Sequence, residues 1–245
     1  MRIAVISDVH SNIEALDAVL KHAGSERAID AIWCAGDIVG YGPDPSAVLD
    51  AFRERDVQTV AGNHDLAACG LMEIDEFNPV AAEAIIWTQR RLRSDDVAYL
   101  RALPLVLDPS PQAVVVHGSL RQPQWEYLLS AEQAAAQFEL QKPLRSVVGH
   151  SHLQFWMEER DGASPAIRVA GDGTQLDLAH GRFVLNPGSV GQPRDGDPRA
   201  GYMLYDESAA TVTWHRVEYD AATTHRKIVE AGLPAYLGSR LLIGR

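Results

Sequence analysis

The chain has 245 residues, 46% of them hydrophobic and 22% charged, with a formal net charge of -11. That size and composition suit an ordinary globular protein with a sizeable core. The acidic balance excludes tight, sequence-independent binding to a long nucleic acid, which needs a basic face to release counterions.

Two cysteines, Cys34 and Cys69, make neither a disulfide framework nor a Cys-x-x-Cys metal site. The apolar run Ile3 to Ile6 is far shorter than a signal sequence requires, and no run is long enough to cross a membrane. A cytoplasmic location with no membrane partner is expected.

Taken in order, Ile3 to Ser7 reads as a strand, Asn12 to Ala23 as a helix with Ile13, Leu16, Val19 and Leu20 on one face, and Ala31 to Gly36 as a second strand. Asp44-Pro45 opens a helix to about Arg55, and Val57 to Ala61 is a third strand. This alternation predicts parallel pairing with right-handed crossovers. Asn78-Pro79 starts a helix to about Leu92 and Ser94 another to about Ala102, a helical excursion over about 66–103 expected to roof the site. Leu103 to Asp108 and Ala113 to His117 are short strands. Ser130 and Gln133 form a capping box for a helix to about Gln141, and Arg145 to Gly149 is again a strand.

From His150 the pattern changes to short runs with turns between them: 153–159, 166–170, 182–185, 202–206 and 211–218. Period-two alternation from Thr211 to Val217 predicts antiparallel strands and a second sheet. Asp220 caps a helix to about Ala231, and a short helix follows. With no repeat or linker, residues 1–245 read as a single domain.

Five apolar runs end in Asp, Asn or His: at Asp8 with His10, at Asp37, at Asn63-His64, at His117, and at His150 with His152. Singly, each has a structural explanation, since strand-end Asp and Asn cap helices and many histidines are satisfied core residues. Together they are a set of oxygen and imidazole donors at the carboxyl edge of a sheet, where open α/β sheets bind their ligands. Asp8, His10, Asp37, Asn63, His117, His150 and His152 are therefore candidate metal ligands, with Asp37 as the bridge. Two neighbouring ions suit in-line displacement at phosphorus.

These blocks resemble the calcineurin-like metallophosphoesterases. Ser7-Asp8-Val9-His10, Gly36-Asp37, Gly62-Asn63-His64-Asp65, His117-Gly118 and Gly149-His150-Ser151-His152 occur in that family's order. Asn186-Pro187-Gly188-Ser189 resembles a further block of its small bacterial and archaeal phosphodiesterase-like branch. The resemblance implies an α/β fold, a four-layer α/β/β/α sandwich of two mixed sheets flanked by helices, with a dinuclear centre between the sheets' loops. It implies that Asp8, His10, Asp37 and His152 hold one divalent ion and that Asp37, Asn63, His117 and His150 hold the other, Asn63 also touching substrate. His64 would face the phosphoryl group as the catalytic residue. Without a thiolate ligand, Mn²⁺ leads the candidates, and Fe²⁺, Ni²⁺, Co²⁺ and Zn²⁺ stay open.

The sequence departs from one branch. Protein phosphatases and bacterial dinucleoside tetraphosphatases have an Asp-Arg pair three and four residues after the bridging Asp, where this chain has Gly40 and Tyr41. A phosphoprotein substrate is disfavoured, and Asp44 or Asp65 becomes the candidate orienter of His64. Arg194 is a candidate phosphate clamp, with pairing to Asp195 or Asp197 as the structural alternative. Trp87, Trp125, Trp156 and Tyr202 are each read as core before any stacking role. The expected activity is hydrolysis of a small phosphodiester or nucleotide by a hydroxide bridging two metals. A nucleotide pyrophosphatase, a phosphomonoesterase, a nuclease on short oligonucleotides and a non-catalytic protein-binding scaffold are the alternatives.

Overall fold

The computed structural model describes residues 1–25, 28–159 and 164–245. The amino-terminal third alternates as expected: β1 (Arg2–Ile6), α1 (Ile13–Ser25), β2 (Ala31–Cys34), α2 (Pro45–Glu54) and β3 (Gln58–Thr59). β1 pairs with β2 and β2 with β3, both parallel, Ile6 lying opposite Cys34. A short helix α3 (Asn63–Ala68) follows β3 directly, then α4 (Pro79–Gln89), α5 (Ser94–Arg101), β4 (Val106–Ser110), β5 (Ala113–Val116), α6 (Ala131–Leu140) and β6 (Arg145–Val147). The remainder is β7 (Gln154–Glu158), β8 (Ile167–Val169), β9 (Gln175–Asp177), β10 (Phe183–Pro187), β11 (Ala200–Asp206), β12 (Thr211–Val217), α7 (Ala221–Glu230), α8 (Ala235–Ser239) and a 3₁₀ turn, Arg240–Leu242.

Two six-stranded mixed sheets result, ordered β3-β2-β1-β11-β12-β9 and β4-β5-β6-β10-β7-β8. The strands after His150 do not form one sheet of their own, as their common pattern suggests. β11, β12 and β9 extend the first sheet antiparallel from the open edge of β1, while β7, β8 and β10 join β5 and β6. Alternation reports which face of a strand is buried, not which sheet it joins. The strand expected from Leu103 starts at Val106, because the Pro104 carbonyl accepts the Ala61 N–H at 2.8 Å and holds the chain there.

The sheets face each other across a core that includes Val5, Trp33, Val115, Val147, Leu185 and Trp214. Leu16, Val19, Leu49, Phe52 and Leu100 bury α1, α2 and α5 against the outside of the first sheet. Ala134 and Phe138 of α6 cover the outside of the second. Helix, sheet, sheet and helix are the four layers. A fourth apolar cluster joins Tyr41 to α4, α7 and α8 through Ala81, Ala84, Ile228, Leu237 and Leu241. The excursion thus divides its tasks: α5 packs in the outer helical layer, and the stretch before α4 brings Glu76, Phe77 and Asn78 to a cleft at the strand ends. Among the described residues no helix is long and apolar enough to cross a membrane.

Candidate metal centre

All seven proposed ligands meet, fully buried, where the carboxyl ends of β1, β2 and β5 face the loop after β6 and the start of α3. Their backbone is unusual. Of nine non-glycine residues with positive φ among those described, seven lie in these loops: Asp8, His10, Ser11, Asp37, Tyr41, His150 and His152. Left-handed backbone at non-glycine residues carries strain of about 1 kcal/mol or more each and clusters at functional sites. Turning the chain sharply at each strand end aims the side chains inward at one point. Gly62 is required for a separate reason, since a Cβ there would run into the Asp37 carboxylate.

Two groups of donors form. Asp8, His10 and His152 make one; Asp37, His117 and His150 make the other. The Asp8 Oδ1 lies 3.2 Å from His152 Nε2 and 3.9 Å from His10 Nε2. The Asp37 Oδ2 lies 3.6 Å from His10 Nε2 and 3.4 Å from His117 Nε2, so this one carboxylate is shared. Asn63 Oδ1 stands 3.2 Å from His117 Nε2 and completes the second group.

Each of the four imidazoles has its other nitrogen on a backbone carbonyl: His10 on Val39, His117 on Ala35, His150 on Trp125 and His152 on Gln192, at 2.5 to 3.1 Å. Such bonds fix the tautomer and turn a lone pair to the opposite side. The consequence is plain at the first group. His10 Nε2 and His152 Nε2 face each other at 3.3 Å, with Asp8 Oδ1 beside them and, among the described residues, without a hydrogen-bond partner. Three lone-pair-bearing atoms converge there, an arrangement a divalent cation would satisfy. The donor set fits a metal pair.

The surrounding bonds keep these atoms free for that purpose. Asp8 Oδ2 is occupied by the Ser7 hydroxyl at 2.6 Å and the His150 N–H at 3.1 Å. Asp37 Oδ1 accepts the His64 N–H at 2.9 Å. Asp65 does not orient His64. Its Oδ1 accepts the N–H groups of Ile38 and Val39 and its Oδ2 that of Gly62, so it braces the Asp37 loop against α3. Asp44, the other candidate orienter, pairs with Lys227. His64 is held instead by rings: Tyr41 at 4.4 Å between centroids, His10 at 4.9 Å and Phe77 at 5.1 Å.

Burial sets the charge states. It drives His10 and His152 well below the usual imidazole range and takes His150 to about 3 and His64 to about 4. For Asp37 burial alone would raise the carboxyl, but the facing His117 and His64 reverse this and hold it well below the usual range. Burial works against a charged His117 too, yet the adjoining Asp37 outweighs it and lifts His117 to about 9. Asp8 is pushed up to about 7, chiefly by burial.

A pH prediction follows for metal binding. Ligands must be deprotonated to coordinate. At pH 7 the metal-free site keeps a proton on His117 and a fraction of one on Asp8, so metal uptake should release roughly one to two protons. Because both values are raised, affinity should climb as pH rises through 7 to 9 and level off above. Calorimetric titration with Mn²⁺ in buffers of different ionisation heats counts the protons, and a count of zero would contradict this ligand set.

Arg194 reaches the same place. Asp195 and Asp197 are taken by Arg216 and Arg199, and Arg194 lies over the Tyr41 ring at 5.8 Å, its guanidinium bonded to Gln192 Oε1. With Asp37, Tyr41, Asn63 and His64 it lines a cleft of about 260 Å³. Sequence reasoning missed Phe77 and Tyr127 on that cleft, and left Trp125 to the core. A lone aromatic in an irregular loop carries no periodic signal.

Residues 1–210 match the model of the calcineurin-like phosphoesterase superfamily domain. The chain belongs to that superfamily. The calcineurin-like phosphoesterases depend on metal, in keeping with the two donor groups. The fold matches the crystal structure of a metallophosphoesterase from Sphaerobacter thermophilus at a TM-score of 0.90 and 44% identity, covering 100% of this chain and 99% of that one. An uncharacterized protein of Methanocaldococcus jannaschii is 37% identical over 99% of this chain and 98% of its own length. A symmetrical bis(5'-nucleosyl)-tetraphosphatase of Nitrosococcus oceani is 29% identical over 76% of this chain and 70% of its own length.

Proposed function

We propose that the protein is a dinuclear metal-dependent phosphodiesterase acting on a small phosphodiester. The observation that carries this reading is the pair of facing donor groups joined by Asp37, set in the floor of a cleft that also holds His64 and Arg194. Asp8, His10, Asp37 and His152 would hold one ion and Asp37, Asn63, His117 and His150 the other. Bound there, two divalent ions supply an acidified water as nucleophile and neutralise charge on the phosphoryl oxygens.

The chain's own residues do the rest. Arg194 presents a guanidinium fork to a phosphoryl oxygen, and Asn63 contacts the substrate from the start of α3. His64, neutral at pH 7, offers an N–H to the leaving oxygen. Beyond the two ions the chain adds little positive charge for the second negative charge of a monoester: among the described residues lining the cleft Arg194 is the only Arg or Lys, and Glu76 sits at the lip.

A nucleotide pyrophosphatase is the second reading, supported by the Nitrosococcus oceani relative. The scaffold reading loses ground because all seven donors and His64 are in place.

The test is hydrolysis of a chromogenic diester beside the matching monoester by protein loaded separately with Mn²⁺, Fe²⁺, Ni²⁺, Co²⁺ and Zn²⁺. Diester turnover should dominate. Arg194→Ala should lower kcat/KM for the diester about tenfold, the scale of one charge-assisted hydrogen bond, with metal content unchanged. Unchanged kcat and KM would remove Arg194 from the site.

A further inference from the structure

The cleft has an aromatic wall beside the groups that face the phosphoryl centre. Phe77, ahead of α4, and Trp125, in the loop after β5, meet over the site with ring centroids 4.9 Å apart. Tyr127 stacks on the His150 imidazole at 4.0 Å and is 41% exposed as a residue. Trp33 and Trp214, by contrast, are fully buried between the sheets. Phe77 and Trp125 are only half-buried and border the cleft. Half-buried aromatic rings that border a reaction centre offer faces for stacking a flat group.

The lip beside this wall is polar and paired. Asn78 Oδ1 caps α4 by accepting the Ala81 N–H at 3.0 Å, which leaves its amide NH₂ as a donor at the cleft. Glu76, two residues earlier, is an acceptor on the same lip. A donor and an acceptor on one lip complement the hydrogen-bonding edge of a nucleobase, where donors and acceptors stand side by side. The volume of about 260 Å³ lies just under the range of roughly 300–1,000 Å³ usual for small-molecule sites, a scale that suits a small ligand.

We infer that the wall of Phe77, Trp125 and Tyr127, with Glu76 and Asn78 at its lip, is a binding subsite for a nucleobase of the substrate. The inference rests on the diesterase reading and names its substrate class: phosphodiesters of a nucleoside. A stacked base strengthens binding about tenfold or more.

The experiment compares kcat/KM for the p-nitrophenyl phosphodiesters of adenosine, of uridine and of methanol, in one Mn²⁺-loaded preparation. The adenosine ester should be preferred over the methyl ester at least tenfold, and the uridine ester, with its smaller ring, severalfold. Trp125→Ala and Phe77→Ala should each shrink the adenosine-to-methyl ratio at least fivefold. The ratios cancel any loss of metal. Turnover of all three esters with equal efficiency, or ratios that survive both aromatic substitutions, would overturn the subsite and leave the diesterase intact. If no ester is hydrolysed, the diesterase reading fails and binding decides the subsite. In calorimetry AMP at least tenfold tighter than ribose 5-phosphate would uphold it, and equal affinities would overturn it.

Discussion

An Asp37→Asn protein is expected to lose diester turnover by roughly a thousandfold and to bind at most one metal ion per chain. Changes in the outer sphere of a metal site typically cost 10–100-fold, and Asp37 stands closer than that. Its Oδ2 lies within 3.6 Å of a nitrogen from each donor group, and its Oδ1 accepts the backbone N–H of His64. The amide keeps the shape and can present only one oxygen. It also leaves a buried donor set without the anion that lifts His117 to about 9, so His117 should fall toward its neutral form. Metal content by mass spectrometry and turnover on the same sample give the answer. Two ions retained with full activity would remove Asp37 as the bridge.

His64→Ala should separate chemistry from metal binding. Metal content should stay at the wild-type value, because the His64 side chain belongs to neither donor group. Turnover should fall about 10²–10³-fold, the cost of removing one preorganised donor aimed at developing charge. The loss should be largest for esters with an alkoxide leaving group and smallest for p-nitrophenolate, which needs little help. Burial puts His64 at about 4, and bound cations would push it lower, so no pH-rate limb belonging to His64 should appear between pH 5 and 9. An equal loss for every leaving group would assign His64 to the phosphoryl oxygens instead.

Much of this site was legible because its donors stand at chain positions with a strong local signature. Asp8, Asp37 and His117 each follow an apolar run, and a buried strand has to deliver the next residue to the sheet edge. His10, His150 and His152 were legible as part of a spacing. What sequence could not show is who holds them. The carbonyls of Ala35, Val39, Trp125 and Gln192 that fix the four imidazoles belong to the backbone and leave no trace in residue type. Asn63 was read as a strand end although it opens a helix of six residues, too short for any periodicity. Asp65 looked like a partner for its neighbour His64 and instead reaches back to Ile38 and Val39, a contact set by the turn. The sheet membership of β11 and β12 depended on an open edge far away in sequence.

The left-handed backbone at the donor loops bears on how the fold tolerates the loss of a ligand. Five candidate ligands, Asp8, His10, Asp37, His150 and His152, sit in a conformation that glycine would adopt without strain. Glycine at Asp8 or Asp37 would relieve that strain, yet it would also leave the buried Ser7 hydroxyl and the His150 N–H, or the His64 N–H, without their acceptor and open a cavity, a larger cost. The centre is thus stitched into the fold by the same side chains that face the ions, and taking out one of them loosens the turns that aim the rest.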